Sequence, residues 1–355
     1  MRVVVKIGTS SITDDLGVID RDAVGKLCRE VAAVRSAGHQ VVVVSSGAVA
    51  AGMPALGLHT RPRDPLTLQA LSAVGQSRLV QVYNDLLAGH GLVAAQVLIS
   101  PLDFFQRTQY LHARATLERL LELGVVPVVN ENDALADTEL RFGDNDRIAA
   151  LIAHLVRAEQ LVLLTDTSGV FTADPRRESA ASLIEEIVEI DRVLEAAVGG
   201  AGTSRGSGGM ASKLAAAKIA AWSGVRTTIA AARREGVLAD AIAAVPGVGT
   251  VVQARQARLP ARKLWIAFAV PAAGQVAVDA GAERMLRERA VSLLPVGVTR
   301  IVGEFGVGDA VEVLGPVGAV FAKGLVRMPA GVARERAGGR GHDELIHRDE
   351  LVLVP

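Results

Sequence analysis

The first two-thirds of this chain repeats one alternation. Short apolar runs rich in valine and isoleucine are each followed by a longer stretch of helical spacing. Residues 3–7 form the first run, which ends at Gly8. Residues 20–37 then carry Val24, Leu27, Cys28, Val31 and Val34 at helical intervals and stop at Gly38, a residue suited to the left-handed position after a helix. The same pattern predicts strands over 40–44, 93–99, 125–129, 161–164 and 225–230, and helices over 66–87, 104–123, 145–156 and 209–222. Strands that are apolar on both faces must be covered on both faces. The pattern therefore predicts an α/β fold, a three-layer, mainly parallel sheet with helices on both sides. Past residue 250 the rhythm changes: Pro246-Gly247, Pro260, Pro271 and Gly274 break the chain, and short β-like pieces follow at 275–278, 299–302, 310–313 and 351–354. The expected division is a first domain over 1–250, a linker over 251–273 and a small β-rich domain over 274–355.

In an open α/β sheet ligands bind at the carboxyl ends of the strands, so what each strand delivers there matters most. The first delivers Lys6-Ile7-Gly8-Thr9-Ser10-Ser11. A lysine at the end of a buried strand is costly unless an anion meets it, and glycine with hydroxyl residues frees backbone N–H groups to cradle phosphate. A lysine reaching solvent from an edge strand is the plainer alternative. The second strand delivers Ser45-Ser46-Gly47 and a run of small residues to Gly52, which suits either an anion at a helix start or tight helix packing. The strand over 125–129 delivers Asn130-Glu131-Asn132-Asp133, more polar groups than a turn needs. Phe142-Gly143-Asp144-Asn145-Asp146 opens the next helix, where Asp144 or Asn145 can serve as N-cap. The strand over 161–164 delivers Thr165-Asp166, and a glycine loop from Arg205 to Gly209 precedes Met210-Ala211-Ser212-Lys213. A glycine loop with hydroxyls and a lysine suits a triphosphate, although alone it also reads as a plain surface loop. Together these segments put two lysines, several anion-ready loops and a set of Asn and Asp side chains on one rim, as phosphoryl transfer requires.

Several classes are unsupported. The chain has no G-x-x-x-x-G-K-[ST] loop and no H-R-D loop. Gly206-x-Gly208-x-x-Ala211 matches a relaxed dinucleotide pattern but does not follow the first strand of a βαβ unit. The seven histidines are scattered and the single cysteine, Cys28, can make no internal disulfide. Lys plus Arg and Asp plus Glu balance at 38 each, so no global charge calls for nucleic acid or an anionic membrane. Met1-Arg2-Val3-Val4-Val5-Lys6 is too short and too soon charged for a signal peptide, and no uncharged apolar stretch reaches bilayer length. A soluble, cytoplasmic protein is expected. The lack of an evident catalytic base suggests an acceptor that is already ionised: a carboxylate, with a pKa of roughly 4, needs alignment and charge neutralisation rather than deprotonation.

The stretches Val5-Lys6-Ile7-Gly8-Thr9-Ser10, Ser45-Ser46-Gly47-Ala48, Asn130-Glu131-Asn132-Asp133, Gly143-Asp144-Asn145-Asp146, Phe171-Thr172-Ala173-Asp174-Pro175-Arg176 and Gly206-Ser207-Gly208-Gly209-Met210-Ala211-Ser212-Lys213 resemble, in order, the motifs of the amino-acid kinase family, and more narrowly of its branch acting on free glutamate. The tail, with Asp279-Ala280-Gly281-Ala282 and Ile346-His347-Arg348-Asp349-Glu350, resembles a PUA domain. The resemblance implies ATP-dependent phosphorylation of the L-glutamate γ-carboxylate to γ-glutamyl phosphate, the first step of proline biosynthesis, with proline as inhibitor and a homo-oligomeric assembly, dimer or tetramer. It implies that Lys6, Lys213 and Asp146 are catalytic, with Asp146 holding the lysines. It further implies that Lys6, Gly8, Thr9, Thr165, Asp166, Ser207, Gly208, Gly209, Met210, Ala211, Ser212 and Lys213 bind ATP, and that Ser46, Gly47, Asn130, Asp133 and Asn145 bind the amino acid. Mg2+ would be held mainly by the ATP phosphates. Serines at 207 and 212 stand where threonines are more usual, and both keep the hydroxyl.

Two rivals stay open at this level. A sister kinase acting on N-acetylglutamate, aspartate, carbamate or uridylate is disfavoured by the Asn-Glu-Asn-Asp stretch and the added tail. RNA binding by the tail is the other, since residues 253–300 hold eight Lys/Arg against three Asp/Glu. After residue 300 acidic residues outnumber basic ones, and aromatic platforms for bases are few.

Overall fold

The structure, a computed structural model, describes residues 1–355 except 15, 101–102, 105, 136–143, 174–177, 179, 192–193, 195–208, 257, 269, 340, 342 and 355. It divides into two compact units, Met1–Arg258 and Leu259–Pro355.

In the first unit an eight-stranded sheet runs in the order β3-β4-β2-β1-β5-β7-β8-β6. Its strands are β1 (Arg2–Ile7), β2 (Gln40–Ser45), β3 (Ala94–Ile99), β4 (Val126–Glu131), β5 (Gln160–Thr165), β6 (Glu186–Ile187), β7 (Arg226–Ala231) and β8 (Thr250–Val252). All pairings are parallel except β7 with β8. β1 lies centrally, with β2 on one side and β5 on the other; Lys6 stands opposite Val44 and Leu163. The chain builds outward through β2, β3 and β4, then returns to add β5 beyond β1. That reversal opens a crevice at the carboxyl ends of β1, β2, β4 and β5.

Alternate residues of β1 face opposite layers. Val3, Val5 and Ile7 join a core with Val24, Leu27 and Val31 of α1 (Arg21–Ser36) and Leu79 and Tyr83 of α3 (Pro65–Ala88). On the other face Lys6 meets α5 (Asn145–Leu155), which packs with α6 (Met210–Trp222). The described residues of this unit also form α2 (Ala48–Ala55), α4 (Arg107–Glu122) and α7 (Val237–Ala243). Local signals account for the ends: Asp20 caps α1 through Asp22 N and Ala23 N, Asp64 caps α3 at Thr67 N, and Gly38 turns at φ +87°.

The strand expected over 125–129 continues through Asn130 and Glu131, because β3 carries on beside it: Leu98 pairs with Asn130 and Ile99 with Glu131. Both polar residues are therefore buried members of the sheet.

The second unit holds a five-stranded sheet, β10-β9-β11-β12-β13, built from β9 (Gly274–Val278), β10 (Val298–Gly303), β11 (Ala310–Leu314), β12 (Val320–Val326) and β13 (Ile346–Leu353). Val276, Val278, Val311, Val313, Phe321 and Ile346 form its core. Helices α8 (Ala261–Phe268), α9 (Ala280–Glu288) and α10 (Ala330–Arg336) accompany it, with Asp279 capping α9 at Ala282 N. The stretch 251–273 thus contains the end of β8, the junction between units and all of α8.

Candidate active site

Lys6, Asp146 and Lys213 come from β1, α5 and α6 and meet inside the first unit. The Lys6 ammonium lies 2.6 Å from Asp146 Oδ1 and the Lys213 ammonium 3.0 Å from Asp146 Oδ2. All three are buried: Lys6 is 4 % exposed, Lys213 5 % and Asp146 0 %. Ser212 Oγ also donates to Asp146 Oδ2, at 3.0 Å, and to Gly209 O. Burial works against an ionised Asp146, yet Lys6 and Lys213 outweigh it and hold the carboxyl below its ordinary range. Asp144 caps α5 by accepting from Asp146 N at 2.8 Å. Burial, then the charge of Asp146, push the Asp144 carboxyl upward.

Two ammonium groups thus share one carboxylate away from water. Ammonium groups set side by side suit a ligand that brings several anionic oxygens, such as a phosphate. Gly8 stands two residues after Lys6; a Cβ there would sit 3.6 Å from the Lys6 ammonium. Thr9 starts a tight turn, Thr9–Ser11, that engages the N–H groups of Ser11, Ile12 and Thr13.

A second group of polar side chains forms a hydrogen-bonded relay. Asn145 Nδ2 donates to Ser46 Oγ at 3.0 Å and to Asn130 Oδ1 at 2.9 Å. Asn130 Nδ2 donates to Gln76 Oε1 at 2.7 Å. Nearby Ser72 Oγ donates to Asp133 Oδ2 at 3.2 Å, and the hydroxyls of Ser45 and Tyr83 lie 3.0 Å apart. Four of the five expected amino-acid-binding residues are thus tied to one another or to α3. The fifth, Gly47, adopts φ +99° at the start of α2, a conformation that glycine supplies without strain.

Sequence reasoning missed the contribution of α3. Ser72, Gln76 and Tyr83 fall on one face of that helix with Leu79, and polar residues sharing a stripe with buried leucines were the available signal.

At the end of β5, Thr165 Oγ1 donates to Asp166 Oδ1 at 3.0 Å. Both line a cavity of about 750 Å³ together with Thr9, Lys26, Arg61 and Arg233. The lining of that cavity does not include Asp146 or its lysines. Gly209 precedes α6, and Met210, Ala211, Ser212 and Lys213 form its first turn. Ser207 and Gly208, like Phe142, Gly143 and Asp174-Pro175-Arg176, lie outside the described residues. Among the described residues no group of three or more His, Cys, Asp or Glu side chains is placed to hold a metal ion, and no helix is long and apolar enough to cross a membrane.

The profile of the amino acid kinase family matches residues 1–231, and that of the PUA domain matches residues 274–347. The chain is 46% identical to the glutamate 5-kinase of Burkholderia multivorans (strain ATCC 17616 / 249) over a 364-residue alignment that covers 99% of this chain and 98% of that protein. Glutamate 5-kinases of Burkholderia mallei (strain SAVP1) and Burkholderia pseudomallei (strain K96243) are 45% identical over the same shares of both chains. Among solved structures, the product complex of T. acidophilum isopentenyl phosphate kinase aligns with a TM-score of 0.51 at 20% identity, covering 71% of this chain and 100% of that one, a likeness of fold.

Proposed function

The chain belongs to the amino acid kinase family, and from that premise we propose that it transfers the γ-phosphoryl group of ATP to the γ-carboxylate of L-glutamate, giving γ-glutamyl phosphate and ADP, the opening step of proline biosynthesis. The observation that carries this reading is the buried Asp146 gripped by Lys6 and Lys213.

The acceptor is already a carboxylate at neutral pH, so no base is required. One of its oxygens attacks the γ-phosphorus, forming the new O–P bond as the bond to the ADP oxygen breaks. Charge spreads over the transferring group at that moment. The two ammonium groups, preset by Asp146 in a water-poor site, stabilise it without having to reorganise. Asp146 acts as the strut that keeps two like charges close together. Gly8, Thr9, Thr165, Asp166 and residues 207–213 hold the nucleotide, while Ser46, Asp133 and Asn145 hold the amino acid with Gly47 and Asn130 beside them. Both oxygens of Asp146 are already engaged by ammonium groups, which fits a Mg2+ ion that enters on the ATP phosphates and adds further charge neutralisation there. Proline acting at the acceptor site, assembly as a dimer or tetramer and a cytoplasmic location complete the proposal.

The test is ADP release measured with L-glutamate, N-acetylglutamate and L-aspartate in parallel, with hydroxylamine trapping the acyl phosphate as a hydroxamate. Glutamate alone should give both signals. A hydroxamate with N-acetylglutamate and none with glutamate would overturn the assignment.

A further inference from the structure

The relay from Ser46 to Gln76 has a direction set by one backbone group. Glu131 N donates to Asn130 Oδ1 at 2.9 Å, so that side of the Asn130 amide must be its oxygen; a flipped amide would set two donors against each other. Asn145 must therefore present its NH2 to Asn130 Oδ1, and Asn130 must present its own NH2 to the neighbouring Gln76, whose Oε1 accepts it. The consequence falls at the two ends. Among the described residues Gln76 Nε2 is buried without an acceptor and Asn145 Oδ1 is buried without a donor. Gln76 as a whole is 6 % exposed. Buried amide groups nearly always have partners, so a donor and an acceptor left over in one relay mark where a ligand belongs.

We propose that Gln76 is a substrate-binding residue of the acceptor site, its Nε2 donating to the α-carboxylate of the bound amino acid while Asn145 Oδ1 accepts from the α-ammonium. This inference rests on the kinase reading above. A free amino acid carries an acceptor in its α-carboxylate and a donor in its α-ammonium, the two kinds of group that the relay leaves without partners. Order along the relay agrees. Asn145 adjoins Asp146, where the lysines take the reacting carboxylate, and Gln76 is the last member counted from that end. The contact also supplies a reason for a polar residue on the buried stripe of α3: a site that hydrogen-bonds a carboxylate rejects analogues in which that group is capped.

Gln76→Glu separates binding from mere support, because its carboxylate still accepts from Asn130 Nδ2 while the donor is replaced by a negative charge. We expect the KM for L-glutamate to rise by about 10- to 100-fold with kcat and the KM for ATP nearly unchanged. The wild type should discriminate against L-glutamate α-amide, and in Gln76→Glu that discrimination should collapse, since the new carboxylate accepts from the amide NH2. A folded Gln76→Glu with unaltered KM for glutamate, or with discrimination intact, would overturn the inference and leave the kinase reading standing. A wild type that releases no ADP with glutamate sinks the kinase reading itself. Should Gln76→Glu fail to fold, Gln76→Ala decides: a KM rise for glutamate larger than for the α-amide supports the contact, and an equal rise for both refutes it.

Discussion

At the scale of single residues the site is governed by charge balance. Lys6 and Lys213 are each paired to Asp146, and all three are away from water. Removing one ammonium takes away a preset donor to the transferring group, so Lys213→Ala should lower kcat by about 10²–10³-fold while the KM for glutamate moves little. Lys213→Arg should not restore the rate, because a planar guanidinium cannot occupy the place of a compact ammonium in a packed site. Asp146→Asn keeps the shape and removes the strut, leaving two ammonium groups facing each other; a comparable fall in kcat is expected. The folded carboxyl of Asp146 sits below its ordinary value. Its ionic stabilisation is therefore present above the unfolded carboxyl pKa and is lost as pH falls through the lower, folded one. That acid-side loss should disappear in Asp146→Asn when unfolding is followed by urea titration at successive pH values. An Asp146→Asn enzyme with full kcat would remove the basis of the proposed mechanism.

At the scale of elements, α2 and α3 cross with their backbones in contact. A Cβ on Gly75 would lie 1.8 Å from Ala48 O and 2.5 Å from Gly52 N, and one on Gly52 would lie 2.1 Å from Leu71 O. This crossing explains the small residues after Ser46 by packing, the second of the two alternatives their pattern left open. It also sets the position of the neighbouring Gln76 and of Ser72 against β4 and Asp133. Gly75→Ala should therefore cost about 3 kcal/mol or more, since only backbone can yield, and it should raise the KM for glutamate as α3 shifts. Gly89, in an ordinary helical conformation with its nearest atom 3.4 Å from a built Cβ, is the control; Gly89→Ala should change stability by less than about 1 kcal/mol in the same urea titration. The two lysines were legible in the sequence because each sits at an element end with a sharp signal, Lys6 closing an apolar strand and Lys213 in the first turn of a helix after glycines, whereas the part of Asp146 came only through the resemblance to the amino-acid kinase motifs. The α3 stripe was not legible, since Ser72 and Gln76 sit mid-helix, where their partners come from segments 54 and 61 residues away. Periodicity reports which face is buried but not what faces it. For the same reason the sequence placed the end of β4 at residue 129: Asn130 and Glu131 look like a turn until β3 is known to run beside them.

At the scale of the whole molecule, proline and glycine density marks a boundary near residue 250, whereas the first compact unit runs to Arg258. The described residues between take part in its structure. Val251 and Val252 pair with β7 and β6, and Val252 is buried in the core. Gln253 N donates to Ile187 O and Arg255 N to Ala221 O, while the Arg255 guanidinium stacks 4.3 Å from the centre of the Trp222 ring. Arg258 reaches Gly224 O. A three-residue strand set between β7 and the two-residue edge strand β6 has no periodicity of its own, so composition alone reads it as linker. Two truncations therefore differ sharply in expectation. A chain ending at Arg258 keeps every contact of the first unit and all proposed site residues, and it should release ADP with kcat within about threefold of the full chain, as for a domain that folds on its own. A chain ending at Thr250 loses the burial of Val252 and the backbone bonds that hold the sheet edge, and should be less stable by about 2–4 kcal/mol. Urea unfolding of the two truncated proteins measures the difference directly, and equal midpoints would mean that the segment after Thr250 contributes nothing to the first unit. A chain ending at Arg258 that is folded but inactive would instead show that the second unit is required for the chemistry, although every proposed site residue lies between Lys6 and Lys213.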